Sequence, residues 1–183
     1  MDCTKCNTKN CRATGSCNAQ KFDAEALKLE YHLPDNQQII QAAANLVDNG
    51  RAGTLSRLQE IVEFSKGMNF QRIGLAYCYG MEGDAGLVAQ FLRESGLKPI
   101  PVSCTTGGFK QSEVNENSDA GSVSCNPLAQ AEQLNSEEVD LTLTMGLCLG
   151  HDIVFQKQIK SYTTTLVVKD RVHSNNPIKA LRN

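Results

Sequence analysis

The spacing of apolar residues changes in kind along this chain of 183 residues. Residues 1–20 hold almost no large apolar side chains. Residues 34–67 then carry them at intervals of three and four, the helical period. Pro34, Ile39, Ala43, Leu46 and Val47 predict a helix over 34–50, with Pro34 near its start and Asn49-Gly50 as its stop. Thr54 is placed to cap a second helix, whose stripe is Leu55, Leu58, Ile61, Val62 and Phe64 and whose end falls near Gly67.

From residue 72 the pattern alternates. Arg72 to Cys78 reads as a short buried strand, followed by a turn at Gly80 and Gly83. A helix from Asp84 to Glu94 presents Leu87, Val88, Phe91 and Leu92, and Gly96 ends it. Pro99 to Cys104 is a second strand, which its two prolines direct to a sheet edge or to a strand's first residues. A polar stretch follows from Thr105 to Ser124, long enough to read as functional or mobile. Pro127 opens a helix through Leu128, Ala131 and Leu134. Val139 to Leu149 is a third strand, His151 to Lys160 a helix, Thr163 to Lys169 a fourth strand, and Pro177 precedes a short final helix.

Strands alternating with helices imply a parallel sheet with crossover connections. The expected fold is α/β: a three-layer Rossmann-like domain over residues 21–183 with a mostly parallel sheet of about four strands. Two helices and a cysteine-rich, metal-binding segment over residues 1–20 precede it. No internal repeat is visible.

Composition narrows the partners. A net charge of -2, the lack of any Lys/Arg run and the absence of Trp argue against nucleic acid and against a membrane surface. No stretch reaches the roughly 18 apolar residues of a spanning helix. The start, Met1 to Cys6, has no apolar signal core, so a cytoplasmic location is expected. Eight cysteines in a reducing compartment call for metal ligation or thiol chemistry rather than disulfides.

Four of them, Cys3, Cys6, Cys11 and Cys17, follow the spacing C-x2-C-x4-C-x5-C. A segment with no core of its own can wrap four sulfurs around one ion or cluster, and Lys5, Lys9 and Arg12 favour ionised thiols. Zinc and an iron–sulfur cluster both fit, since only the first pair has the knuckle form that zinc commonly takes. Disulfides or free thiols are the bland alternatives.

A second constellation emerges from the topology. Cys78, Cys104 and Cys148 each fall at or just past a predicted strand end, and such ends share one edge of a parallel sheet, where ligands bind. Cys125, before the helix at Asn126-Pro127, can join them from the long loop. Lys169, Asp170 and Arg171 end the fourth strand on the same edge, and His151 and Asp152 open a helix there, where free backbone N–H groups favour an anion or a thiolate. Gly107-Gly108 would let backbone approach a ligand closely. Each has a plainer reading. A strand-end cysteine can be a small buried hydrophobe, His151 a capping residue, and Lys169-Asp170-Arg171 a solvated strand end. His32 and His173 have no supporting neighbours.

Three blocks carry a resemblance: Cys125 to Ala131, Gly146 to Asp152, and Thr164 to Arg171 with Asn176-Pro177 beyond. They resemble an uncharacterised prokaryotic family of predicted metal-binding proteins, domain of unknown function eighteen forty-seven, over nearly the whole chain. The resemblance implies metal binding by the cysteines and supports Cys78, Cys104, Cys125, Cys148, His151, Lys169, Asp170 and Arg171 as motif positions. It fixes no reaction, substrate or metal.

The first expectation is a redox or sulfur-handling enzyme acting on a small anionic or sulfur-containing substrate. Cys78, Cys104, Cys125 and Cys148 would hold a cluster or act as nucleophiles. Lys169 and Arg171 would bind the anion, His151 would relay a proton or serve as a ligand, and Asp152 or Asp170 would orient these groups. The N-terminal site would be an electron relay with iron and sulfur, or a staple with zinc. The second expectation is a non-catalytic metal-binding or electron-carrier module that docks on a redox partner protein. The third is a zinc protein with a conventional α/β ligand site and inert cysteines.

Overall fold

The structure, a computed structural model, describes residues 2–15, 17 and 21–182. Its chain divides into two compact units, residues 1–41 and 42–183. The boundary expected near residue 20 lies beside residues outside those described.

The first unit holds a 3-10 turn at Cys3–Lys5, helix α1 (Asn10–Ala13), helix α2 (Ala24–Tyr31) and the start of α3 (Pro34–Val47). Helices α1 and α2 come in addition to the two that the apolar spacing predicts ahead of the sheet. Helix α2 is the longer of them. Its cap is visible locally: the Asp23 side chain accepts from the Glu25 and Ala26 N–H groups. Its apolar residues Leu27 and Leu29 are exposed, so no stripe marks it.

In the second unit, α4 (Arg57–Gly67) starts two residues beyond the expected cap. Ser56, not Thr54, accepts the Gln59 N–H, and the Gln59 side chain returns the bond to the Ser56 N–H. Four strands follow: β1 (Arg72–Tyr77), β2 (Lys98–Ser103), β3 (Leu141–Met145) and β4 (Tyr162–Val167). They pair in parallel throughout, in the order β2-β1-β3-β4. The proline-bearing β2 is an edge strand, as its missing donors require.

The crossovers are α5 (Glu82–Glu94), α7 (Pro127–Ser136) and α8 (Leu149–Gln158). The long polar segment between β2 and α7 carries one short helix, α6 (Gln111–Val114), and a single antiparallel bridge from Lys110 to Val123. A 3-10 helix at Pro177–Leu181 ends the chain where a short helix was expected.

Alternation along the strands builds two cores, one on each face of the sheet, which makes the three layers. Ile73, Leu75, Leu141, Leu143 and Met145 face α4 and α5, packing against Ile61, Val62, Val88 and Leu92. Ala76 and Val102 face the other way, towards Ala131 and Leu134 of α7 and Phe155 of α8. On that second face Gly74 lets α7 come close. A Cβ there would stand 2.9 Å from the Thr142 hydroxyl and 3.1 Å from a Leu134 methyl.

Two strands are shorter than the apolar runs predict. β3 stops at Met145 because Gly146 turns into the left-handed region (φ 62°). β4 stops at Val167, so Lys169, Asp170 and Arg171 lie in the loop beyond it rather than at its last residues.

Gly74→Ala is expected to destabilise the protein by about 1–3 kcal/mol through overpacking between β1 and α7. Urea unfolding with an unchanged slope and a lowered midpoint would report it.

Candidate functional site

The parallel order sets the strand ends side by side. Along the edge stand Cys104 after β2, Cys78 after β1, Cys148 beyond β3 and Lys169 beyond β4. Backbone hydrogen bonds continue the ladder one step past the strands. The Cys104 N–H donates to the Tyr77 carbonyl (2.9 Å) and the Cys78 N–H to the Met145 carbonyl (3.0 Å). Cys125 is brought in from the long loop by the Asn126 N–H, which donates to the Cys104 carbonyl at 2.6 Å.

The side chains meet accordingly. The Cys104 and Cys125 sulfurs are 3.4 Å apart. The Tyr79 N–H donates to the Cys104 sulfur at 3.4 Å. Lys169 Nζ donates to the Cys78 sulfur at 2.6 Å, and Arg171 Nη2 to the Cys148 sulfur at 3.3 Å. Cys78 and Cys104 are buried, while Cys125 and Cys148 are partly exposed.

These neighbours drive two adjacent thiols in opposite directions. Burial alone would push the Cys78 thiol up. The bonds from Lys169 and the Gly80 N–H, the Lys169 charge and a further bond from Cys104 outweigh burial, and its pKa falls below the ordinary value. For Cys104 burial prevails. Its bond to Cys125 and the nearby Cys125 and Cys78 sulfurs add to the effect, and its pKa rises from 9.0 to about 12 despite the Tyr79 N–H. Of the two neighbours, Cys78 is the thiol that ionises more readily and Cys104 the one that keeps its proton.

Further residues hold this edge, among them Gln130, which the sequence did not single out. The Gln130 amide, on the buried stripe of α7, donates to the Val102 carbonyl (2.8 Å) and the Tyr77 carbonyl (3.2 Å), tying β2 to β1 just below the cysteines. Its signal was a polar residue at core spacing beside Ala131 and Leu134. Asn126 caps α7 through its Oδ1, which accepts from the Ala129 N–H, while its buried Nδ2 has no partner among the described residues. Gly107 lies over that Nδ2, with φ 86°. Gly146 leaves room for the Met81 side chain, whose sulfur would collide with a Cβ there.

The other predicted residues take different places. Asp170 faces its own loop, where its carboxylate accepts from the Val172 (2.8 Å) and His173 (2.9 Å) N–H groups and lies 3.3 Å from the His173 ring. The His173 N–H leads the effects that lower its pKa. His173, which had no expected role, is thus part of the support for the Lys169–Arg171 loop. His151 and Asp152 occupy the first turn of α8, where Cys148 is the N-cap. The Asp152 N–H donates to the Cys148 carbonyl, and its carboxylate accepts from Gln156. No hydrogen bond joins His151 to the cysteines among the described residues.

In the first unit, Cys3, Cys6, Cys11 and Cys17 are exposed. Cys6 has a lowered pKa, owing first to the Lys9 backbone N–H and then to Thr8, whose hydroxyl is 3.6 Å from the sulfur. Lys9 itself bends back to the Cys3 carbonyl at 2.6 Å. Among the described residues, no three His, Cys, Asp or Glu side chains are gathered to ligand spacing. Nor is any helix there long and apolar enough to cross a membrane.

Fold and site define a class: α/β proteins with a doubly covered parallel sheet whose carboxyl edge carries a cluster of thiols and cations. More particularly, the chain belongs to the family described as protein of unknown function (DUF1847), whose profile matches residues 15–166. That span contains Cys78, Cys104, Cys125 and Cys148 and ends before Lys169. The chain is also 37% identical over 186 residues to the uncharacterized protein MJ0455 of Methanocaldococcus jannaschii, covering 99% of this chain and 93% of that protein. No solved structure matches the chain significantly.

The raised Cys104 pKa carries a sign for stability. An unfolded thiol ionises near 9.0, whereas the folded Cys104 keeps its proton to about 12. The unfolded state therefore sheds protons first, and this contribution is full below 9.0 and lost as pH rises towards 12. Urea unfolding at stepped pH is expected to show a steeper alkaline loss in the wild type than in Cys104→Ser.

Proposed function

We propose that this protein is a redox or sulfur-handling enzyme in which Cys78 is the nucleophile. The carrying observation is the 2.6 Å bond from Lys169 to the Cys78 sulfur, which favours the thiolate form on the edge of a parallel sheet where ligands bind. Lys169 and Arg171 supply positive charge for a small anionic or sulfur-containing substrate. Asp170 is a positioning residue, since it orders the loop that bears both cations.

The difference in ultraviolet thiolate absorbance between the wild type and Cys78→Ser, followed across pH, tests the assignment. The Cys78 midpoint is expected below the ordinary thiol value of 9.0. Lys169→Met is expected to raise it and to slow alkylation of Cys78 near neutral pH, by about tenfold for each unit of rise. A wild-type midpoint at or above the free value, or one that Lys169→Met leaves in place, refutes the reading.

A second reading, a metal-binding or electron-carrier module with zinc or an iron–sulfur cluster, draws support from the Cys104–Cys125 contact. Two sulfurs bound tetrahedrally to zinc at about 2.3 Å stand roughly 3.8 Å apart, close to the 3.4 Å found here. Cys78, Cys104, Cys125 and Cys148 would be the donors, drawn closer than the spacing found here, where no three of the described His, Cys, Asp or Glu side chains are gathered to ligand distance, and Lys169 and Arg171 would offset the negative charge. Such a group would supply electron transfer if iron–sulfur and a structural staple if zinc. Cys3, Cys6, Cys11 and Cys17 would be a separate site. Protein purified without oxygen would then carry iron with acid-labile sulfide, or zinc, and Cys148→Ala and Cys6→Ala would each lower the content independently. Metal-free protein with all eight thiols titratable counts against this reading.

A further inference from the structure

Three sulfurs on this edge stand in sequence, and their order has a chemical consequence. Cys104 lies between Cys78 and Cys125. It follows Ser103, the register partner of Tyr77, so Cys78 and Cys104 are the next pair across β1 and β2. Its sulfur also touches that of Cys125 at 3.4 Å. Adjacent parallel strands are about 4.8 Å apart, within the Cα separation a disulfide accepts. Gly80 lies against the Cys78 sulfur: a Cβ built on it would stand 3.9 Å from that sulfur.

Resting on the reading of Cys78 as a nucleophile, we infer that the protein reduces a small anionic disulfide through a three-cysteine relay, with Cys78 attacking, Cys104 resolving and a Cys104–Cys125 disulfide as the oxidised product. In the first step the Cys78 thiolate attacks one sulfur of R–S–S–R′. The substrate S–S bond breaks, R′–S⁻ leaves, and a Cys78–S–S–R mixed disulfide forms. In the second, Cys104 attacks the Cys78 sulfur, its proton passes to solvent, and R–S⁻ leaves. In the third, Cys125 attacks Cys104, its proton passes to solvent, and Cys78 leaves as a thiolate beside Lys169. Two protons from solvent convert the two released thiolates to thiols. The substrate gains two electrons and the Cys104/Cys125 pair loses two. Cys78 begins and ends ionised.

The contacts give the relay its direction. Lys169 Nζ, 2.6 Å from the Cys78 sulfur, loses its partner when Cys78 enters a mixed disulfide. In the last exchange Cys78 is the sulfur that leaves, because its thiolate returns to that cation while Cys104 stays against Cys125 at 3.4 Å. Arg171, bound to Cys148 beside this path, can meet the anionic groups of the substrate.

One equivalent of glutathione disulfide, added without oxygen to the reduced full chain and quenched with acid, tests the relay by mass-spectrometric disulfide mapping. The wild type is expected to release two glutathiones per chain and to hold a Cys104–Cys125 bond. Cys125→Ser is expected to stop at Cys78–Cys104. Cys104→Ser is expected to keep one glutathione on Cys78, lost at least tenfold more slowly than from the wild type. Unfolding midpoints of the variants establish that each is folded. A persistent adduct on Cys78 in the wild type overturns the relay and leaves Cys78 standing as a nucleophile. An adduct that forms only on other cysteines, or metal that blocks all three thiols as isolated, overturns both.

Discussion

The parallel register of β1 with β2 and β3 is the constraint on which the rest of the site depends. In a parallel sheet the strands leave by the same edge, so whatever follows each strand is delivered to one line. Here the ladder runs one residue further than the strands themselves. The Cys104 N–H is spent on the Tyr77 carbonyl and the Cys78 N–H on that of Met145. The two sulfurs are thereby fixed by backbone bonds rather than by loop conformation. Gln130 reinforces the same point from beneath, because its buried amide holds the Val102 and Tyr77 carbonyls together. A polar side chain at the centre of α7 is costly unless it is bonded; the Nε2 of this one joins the two strands that carry the thiols, while its buried Oε1 has no partner among the described residues.

Charge placement follows from that frame. Cys78 and Cys104 are both buried, and burial raises both thiols. What separates them is access to a cation. Lys169, two residues past the end of β4, reaches the Cys78 sulfur, while Cys104 has one backbone N–H and two sulfurs that disfavour its ionisation. Lys169 can do so because the loop that carries it is pinned by Asp170, whose carboxylate takes two backbone N–H groups and the His173 ring. One acidic residue outside the thiol cluster thus contributes to its electrostatics by ordering the cations. Pairs of neighbouring titratable groups driven apart in this way are a frequent mark of acid–base or nucleophilic chemistry.

Much of this was legible from residue spacing, and for a physical reason. Short apolar runs separated by helical stripes admit few arrangements other than a covered parallel sheet, and the topology then places Cys78, Cys104, Cys148 and Lys169 on one edge without knowledge of any contact. What spacing could not reveal depends on individual bonds. Gly146 shortens β3 through a left-handed turn that an apolar run through Leu149 conceals. Helix α2 has a visible cap at Asp23, but no buried stripe announces it. His173 looked isolated because its partner, Asp170, becomes its neighbour only once the loop folds. Gln130 and Asn126 are polar residues whose importance lies in the backbone groups they hold, which no composition rule exposes.

One polar group beside the cysteines carries a cost. Asn126 caps α7 with one amide atom, and the other is buried without a partner among the described residues, next to Gly107 in a backbone conformation that glycine favours. A buried donor without an acceptor is costly to keep. Asn126 follows Cys125 directly, and its backbone N–H is what seats Cys125 against Cys104. The cost therefore falls beside the two sulfurs whose contact the thiol chemistry uses. Stability alone would be served as well by a cap such as Ser, which satisfies the helix and buries no second donor.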